Sequence, residues 1–488
     1  MTLKDILKGV PVLAFSGDPE TSIASMAYSS RDVLPGSLFA ALKGERRDGF
    51  DFVPEALARG SAAVLAERPR PENVAAAWVQ VFNARDALAQ CADNFYDHPS
   101  RKLKLVGITG TKGKTTLTYL LEAVLAKAGH TVGVIGTINY RSPGFVLDAA
   151  RTTPESPDLQ RILAEMAGRG VSHCVMEVSS HALDRKRVAR IGFDVAVFTN
   201  LGAEHLDYHG SMEEYFEAKK KLFFLNDKKR TAVVNDDDPW GRRLIAELPM
   251  TTITFGLSPS ALVRAERFRS NGAGIEALVK FPGGQTAITS PLSGKHNLSN
   301  ILAAFAVSLA LNVPAATIRE GIAAMAAVPG RFEKVPHSLG FLVFVDYAHT
   351  EDSLRHVLAA ARELKPGRIL LVFGAGGDRD RAKRAPMGQA AAELADWAIV
   401  TNDNPRSEDP QAILQDIEKG FLRTGSKNYE LVPDRRAAIA KALAAARKGD
   451  LVLIAGKGHE TTQDIRGKKT DFDDRKVARE ILVGMGSL

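Results

Sequence analysis

Disulfide chemistry has almost nothing to work with in this chain. Its 488 residues include 2 cysteines, Cys91 and Cys174, far apart and without a CxxC partner. Neither a disulfide framework nor a zinc site is expected, and a reducing cytoplasm fits. Long apolar runs are missing too: nowhere do about 18 apolar residues follow one another. The opening "MTLKDILKGVPVLAF" lacks the long apolar core and small-residue cleavage site of a secretion signal. The expectation is a cytoplasmic protein without membrane insertion. No long basic block occurs either, and no basic stripe is interleaved with aromatics. The net charge of +7 is a dispersed excess of 64 basic over 57 acidic residues. That argues against nucleic acid as a partner, and an anionic small molecule accounts for the charge equally well.

What is present reads as a folded α/β protein. A core stops growing at roughly 250 to 300 residues, so a chain of this length divides. Three domains are expected: 1–97, 98–334 and 335–488. The first has shorter elements and turn clusters such as "FSGDPE". From Leu103 onward, short apolar runs alternate with helical patterns, the signature of parallel sheets. One series is "KLKLVGIT", "TVGVIGTI", "HCVMEV", "DVAVFTN" and "TAVVND". The other is "FLVFVDYAH", "RILLVFGAGGD", "WAIVTNDNP", "YELVPD" and "LVLIAGKGHE", its strands ending in polar or glycine-rich motifs, where open α/β sheets bind ligands.

"GITGTKGKTT" sits between a strand and a helix, the context of a phosphate-binding loop. Backbone N–H groups of Gly110, Thr111, Lys112 and Gly113 and of the helix start would cradle phosphate oxygens. Lys114 would neutralise the β- and γ-phosphates, and Thr115, beside Thr116, would offer a hydroxyl to Mg²⁺. Ile108 stands where the general pattern wants glycine, so the loop is a shortened variant. The bland alternative is an ordinary glycine-rich turn with solvated lysines. No Asn-Lys-x-Asp base reader follows, which favours ATP over GTP.

Later strands end on Glu177 and on a cluster of His205, Asp207 and His209. Mg²⁺ takes oxygen ligands and keeps several waters, so one carboxylate and one hydroxyl suffice beside the phosphates. A His-x-Asp-x-His cluster is as readily a surface loop as a ligand set. "EEYFEAKKKLFF" reads as a helix with a solvated lysine face, and composition does not choose among Lys219, Lys220 and Lys221.

Taken together, "GTKGKTT", "MEVSSHAL", "HLDYHG" with a lysine ten residues on, "GKHNLSN", "PGRFE", "VDYAHT", "GAGGDRD", "DNPR" and "GKGHE" resemble the Mur ligase family, over roughly residues 25 to 465. The resemblance implies an N-terminal UDP-sugar domain, a central P-loop ATPase domain and a C-terminal Rossmann-like domain. It implies an ADP-forming amide ligase using ATP and Mg²⁺, monomeric, that adds meso-diaminopimelate to UDP-N-acetylmuramoyl-L-alanyl-D-glutamate in peptidoglycan synthesis, with cell shape and division as the wider context. It also singles out Lys219, expected as a carbamate joining Thr115, Glu177 and His205 around metal, with Lys114 as the catalytic cation.

Asn297, Asn300, Arg331 and Asp346 resemble nucleotide contacts; taken alone, Asn297 reads as a helix N-cap. Ser30, Thr152, Thr153, Ser179, Arg185 and Arg187 match contacts to the UDP-muramoyl substrate. Arg151 and Arg185 depart from the asparagine and glutamine found in some relatives. Arg379 and Arg406 are the implied clamps for the distal carboxylate of diaminopimelate, with Asp403, Asn404, Pro405, Gly456 and Glu460 around them, since a guanidinium pairs a carboxylate through two parallel hydrogen bonds. The bland reading of "DNPR" is a turn before a helix near Pro410, with Arg406 in solvent. The rivals are a lysine-adding member, a folylpolyglutamate-type ligase and a nucleic-acid-stimulated P-loop ATPase.

Overall fold

The structure, a computed structural model, describes residues 1–44, 47–225 and 230–486. Two compact units are present: Met1–Arg264 with Leu302–Gly321, and Ala265–Ile301 with Ile322–Leu488.

In the first unit, β1 (Val12–Ser16), β2 (Ser25–Ala27), β3 (Ser37–Ala40), β4 (Ala63–Ala66) and β5 (Ala77–Val81) form a sheet ordered β1-β5-β4-β3-β2. All neighbours are parallel except β1 and β5. Alternate strand residues enter different cores, Leu38 and Leu65 on one face, Phe39 and Val64 on the other. β3 and β4 are buried at every position, which calls for apolar side chains on both faces, whereas β1 is mostly exposed.

The second sheet of this unit holds β6 (Lys104–Thr109), β7 (Val132–Ile135), β8 (Asn139–Ser142), β9 (Phe145–Asp148), β10 (His173–Glu177), β11 (Val195–Phe198), β12 (Thr231–Asn235) and β13 (Thr252–Gly256), ordered β13-β12-β11-β6-β10-β7-β8-β9. From β13 to β7 the pairs are parallel. The chain builds outward on one side of β6 and then, from β11, on the other. That reversal opens a crevice at the carboxyl ends of β6 and β11, where such sheets take ligands. The helix Lys114–Lys127 leaves β6 with Leu117, Leu120, Leu121, Val124 and Leu125 all fully buried. It stops just before Gly129, whose φ of +84° suits the turn beyond a helix end.

β14 (Val263–Asn271) runs across the boundary between the units, and β15 (Gly274–Phe281) with β16 (Gly284–Ser290) makes an antiparallel hairpin in the second. There, β17 (Glu333–Lys334), β18 (Leu342–Asp346), β19 (Ile369–Phe373), β20 (Trp397–Val400), β21 (Tyr429–Leu431) and β22 (Leu451–Ala455) are ordered β17-β18-β22-β19-β20-β21. Only β17 is antiparallel. β22, last of these in the chain, slots between β18 and β19, so the loops after β18, β22, β19 and β20 share one edge of the sheet. A small hairpin, β23 (Thr462–Ile465) and β24 (Lys468–Asp471), completes the strands. Among the described residues no helix is long and apolar enough to cross a membrane.

Candidate active site

Gly110 and Gly113 turn the chain from β6 into the helix at φ of +142° and +87°, values that side chains rarely tolerate. A Cβ on Gly110 would lie 2.0 Å from Thr199 Oγ1. The loop is stitched across the crevice to the end of β11: Thr111 N–H donates to Asn200 O at 2.9 Å, Lys112 N–H to Asn200 Oδ1 at 2.9 Å, and Thr199 Oγ1–H to Lys112 O at 2.7 Å. Thr199 and Asn200 were not among the sequence candidates, although "DVAVFTN" ends on that polar pair. Lys114 curls back, its ammonium donating to Gly110 O at 2.8 Å and Thr111 O at 2.9 Å. Thr115 and Thr116 are buried in the first helical turn. The loop is thus held by hydrogen bonds from the end of β11 and by the Lys114 ammonium.

Lys219 overturns the solvated-face reading. It sits in the helix Met212–Lys220 with 1% of its surface exposed, whereas Lys220 and Lys221 reach carboxylates nearer the surface. Its Nζ donates to Gly110 O at 3.0 Å, beneath the phosphate loop, and lies 4.5 Å from the centre of the Tyr215 ring. Burial holds Lys219 well below the ordinary ammonium range; the Lys114 charge adds to this and Glu204 opposes it.

Glu177, 1% exposed at the end of β10, accepts from Thr137 through both oxygens, from its N–H at 3.0 Å and its hydroxyl at 3.1 Å. His205 adopts a left-handed φ of +58° at the head of the turn Leu206–His209, its ring 4.9 Å from that of His181. Partial burial lowers its pKa, with Glu204 opposing and the Lys114 and Lys219 charges adding. His209 is a packing residue instead, stacked 5.0 Å from Tyr215 and bonded to Ser180 Oγ at 2.9 Å, while Asp207 is exposed. Among the described residues no three His, Cys, Asp or Glu side chains converge as a metal cluster.

The muramoyl candidates share this unit. Thr152 Oγ1 meets Thr137 Oγ1 at 3.1 Å; Thr153 Oγ1–H donates to Glu177 O at 2.9 Å and accepts from Ser179 N–H at 3.1 Å. Ser179 caps the helix Ser180–Asp184. Arg187, 6% exposed, donates to Thr153 O at 3.1 Å and pairs with buried Glu155 at 2.9 Å; Arg151 and Arg85 flank the same carboxylate. Glu155 was missed, because a lone glutamate in "TTPES" gives no sign of burial. Arg185 lies over the Tyr208 ring at 5.3 Å, and Ser30 donates to Glu55 at 3.0 Å.

In the second unit, the helix holding Asn297 and Asn300 begins at Lys295, so Asn297 is inside the helix, not its N-cap. Its N–H already serves Gly294 O at 3.0 Å and its side chain donates to Ser293 O at 2.8 Å; Asn300 donates to Asn297 Oδ1 at 3.2 Å. Asp346 closes β18 by accepting from Phe332 and Ala348 N–H groups at 2.7 and 2.8 Å, and Arg331 covers the Tyr347 ring at 4.9 Å.

The loops after β19, β20 and β22 meet. Gly377 N–H donates to Asn404 O at 2.9 Å, and a Cβ on Gly377 would strike Pro405 O at 1.9 Å. Arg406, at φ +51°, is half-buried and donates through Nη1 to Gly377 O at 2.6 Å, so it does not extend freely into solvent. The helix that follows takes Asp409 as its N-cap and Pro410 as its first residue. Below the loop, Arg384 is fully buried and grips Glu408 through both nitrogens at 2.9 and 2.8 Å. Asn404 donates to Glu460 at 2.7 Å; Gly456, at φ +116°, leaves room for Asp403, whose Oδ2 would lie 2.5 Å from an added Cβ. Arg379 is exposed beside them.

A phosphate loop on a parallel sheet joined to a second, Rossmann-like sheet with arginine-bearing loops is the frame of an ATP-dependent ligase. Known proteins agree. The Mur ligase family catalytic domain matches residues 22–96, the Mur ligase middle domain 108–308, and the Mur ligase glutamate ligase domain 330–458. The chain belongs to the Mur ligase family, with its N-terminal, central ATP-binding and C-terminal domains. It is 48% identical over 469 residues, 96% of this chain and 95% of the relative, to the UDP-N-acetylmuramoyl-L-alanyl-D-glutamate--2,6-diaminopimelate ligase of Solibacter usitatus (strain Ellin6076). It is 43% identical, over 99% of this chain and 97% of the relative, to the ligase of the same name from Alkaliphilus metalliredigens (strain QYMF). A solved structure with that enzyme name matches at a TM-score of 0.71 and 30% identity, covering 100% of this chain and 99% of the other.

Proposed function

We propose that the chain uses ATP to join meso-diaminopimelate to UDP-N-acetylmuramoyl-L-alanyl-D-glutamate, releasing ADP and phosphate, in cytoplasmic synthesis of peptidoglycan precursors. The observation that carries this reading is 48% identity, across nearly the whole of both chains, to a relative named for that reaction.

The peptide carboxylate takes the γ-phosphoryl group, and the substrate amine then attacks the acyl carbon and expels phosphate. Anions must approach one another, so the protein's work is to offset charge and fix positions. The Thr111 and Lys112 N–H groups already donate to Asn200, so the backbone N–H groups of Gly110 and of Gly113–Thr116, with the Lys114 ammonium, would hold the phosphates, and Asn297, Asn300, Arg331 and Asp346 would serve the rest of the nucleotide. Ser30, Thr152, Thr153, Ser179, Arg185 and Arg187 would hold the muramoyl substrate.

Thr115, Glu177, His205 and Lys219 suit Mg²⁺ if Lys219 is carbamylated, since the set otherwise offers a single carboxylate. The depressed, buried Lys219 amine favours that modification. When bound, the metal supplies positive charge to the phosphoryl oxygens. Arg406, one nitrogen anchored on Gly377 O, would read the distal carboxylate together with Arg379; Asp403, Asn404, Gly456 and Glu460 would receive the amino group.

The test is ADP release with the UDP-muramoyl-dipeptide and a panel of amino acids. meso-Diaminopimelate should drive turnover and lysine should lag by up to ~10⁴-fold, because lysine leaves the arginine site unpaired. Equal turnover with lysine would move the chain to the lysine-adding reading.

A further inference from the structure

Lys457 lies between two glycines in "GKGHE", where a lysine would ordinarily be taken for a solvated loop residue. Its side chain has 0% of its surface exposed. The three ammonium protons have three acceptors: Thr462 O at 2.7 Å, Glu460 Oε2 at 3.1 Å and Asn404 Oδ1 at 3.2 Å. Two of those acceptors are residues assigned above to the amino group of the substrate.

The contacts also decide how each acceptor is oriented. Asn404 Oδ1 faces two donors, the Lys457 ammonium and the Asp464 N–H at 3.0 Å. A flipped amide would set N–H against N–H, so the NH₂ group is forced toward Glu460, where it donates to Oε2 at 2.7 Å. Glu460 Oε2 therefore takes two hydrogen bonds from inside the fold. The Glu460 side chain keeps 31% of its surface open, and with Oε2 engaged inside the fold, Oε1 is the oxygen left for an incoming cation.

We infer that Lys457 is a positioning residue for amino-acid selection: a buried cation that fixes the Asn404 amide and ties down one oxygen of Glu460, presenting the other to the ammonium group of the substrate. This rests on the proposed function above. An unanchored Glu460 would swing through several rotamers and bind the same ammonium with a larger entropic loss.

The experiment is steady-state ADP release by full-length wild type, Lys457→Met, Glu460→Gln and the double variant, with meso-diaminopimelate and ATP varied in turn. Lys457→Met should raise KM for diaminopimelate at least ~30-fold, the scale of removing one member of a buried hydrogen-bonded charge pair, and leave KM for ATP within about twofold. In the Glu460→Gln background, where no carboxylate is left without its internal cation and the fold is so protected, Lys457→Met should add less than about threefold. Equal losses in both backgrounds, or KM values for the two substrates rising together, would overturn the inference alone. A wild type that does not respond to diaminopimelate would overturn the functional reading and the inference with it.

Discussion

Lys219 shows how one side chain can oppose stability and serve chemistry. An amine 1% exposed, hydrogen-bonded to a carbonyl and close to another lysine, has lost hydration that the charge of Glu204 does not make good. Its folded pKa lies below its unfolded one, so charging the amine penalises folding below the unfolded value, a penalty that fades as pH rises toward that value. Lys219→Met should therefore raise the melting temperature at pH 7 while cutting turnover at least ~10²-fold, as loss of an electrostatic catalytic group does. A destabilised variant with retained activity would contradict both halves. The family resemblance alone singled this residue out; composition did not choose it, because three successive lysines on one helix differ only in what packs against them. The same holds for Lys457 and Glu155, charged residues whose burial depends on distant segments.

At the scale of elements, the buried parallel strands were legible because burial on both faces demands unbroken apolar runs, as in "KLVGIT" and "LVLIA". β14 was not: in "VRAERFRSN" the alternation of buried Val263 and Ala265 is cut short by the exposed run from Glu266 to Arg269, too brief a pattern to detect. The phosphate loop could be read from its glycines, but not its anchor on Asn200, since hydrogen bonds between loops 88 residues apart leave no local pattern. Loop-to-loop contact also sets a demand on Gly377, where an added Cβ would meet Pro405 O at 1.9 Å. Gly377→Ala should push the Asn404–Arg406 loop from the β19 loop and raise KM for the amino acid by about tenfold or more, with KM for ATP nearly constant and Tm lowered by a few degrees. Parallel rises in both KM values would mean that this loop does not serve amino-acid binding.

Across the whole molecule, both units gather their polar residues at the carboxyl edge of a parallel sheet, and the second stabilises that edge with a buried ion pair. Arg435 and Asp474, each with 0% of its side chain exposed, meet at 2.7 Å, and the guanidinium also donates to Asn402 O and Ala455 O, at the ends of β20 and β22. Asp474→Asn should lower unfolding free energy by ~3–5 kcal/mol, whereas Arg435→Met with Asp474→Leu should recover part of it, since an apolar pair has no charge to desolvate but takes a donor from Asn402 O and Ala455 O. Denaturant titration followed by circular dichroism measures both, and a double variant as unstable as the single would refute the argument. The Arg406 backbone, finally, is paired with the small hairpin: its N–H donates to Asp464 O at 3.0 Å and its carbonyl accepts from Arg466 N–H at 2.6 Å. Whatever Arg406 recognises is thus encoded in two places about sixty residues apart. A graft of the ten-residue loop into another ligase would carry the letters without the geometry, and exchange of selectivity between relatives has to move the hairpin as cargo along with the loop.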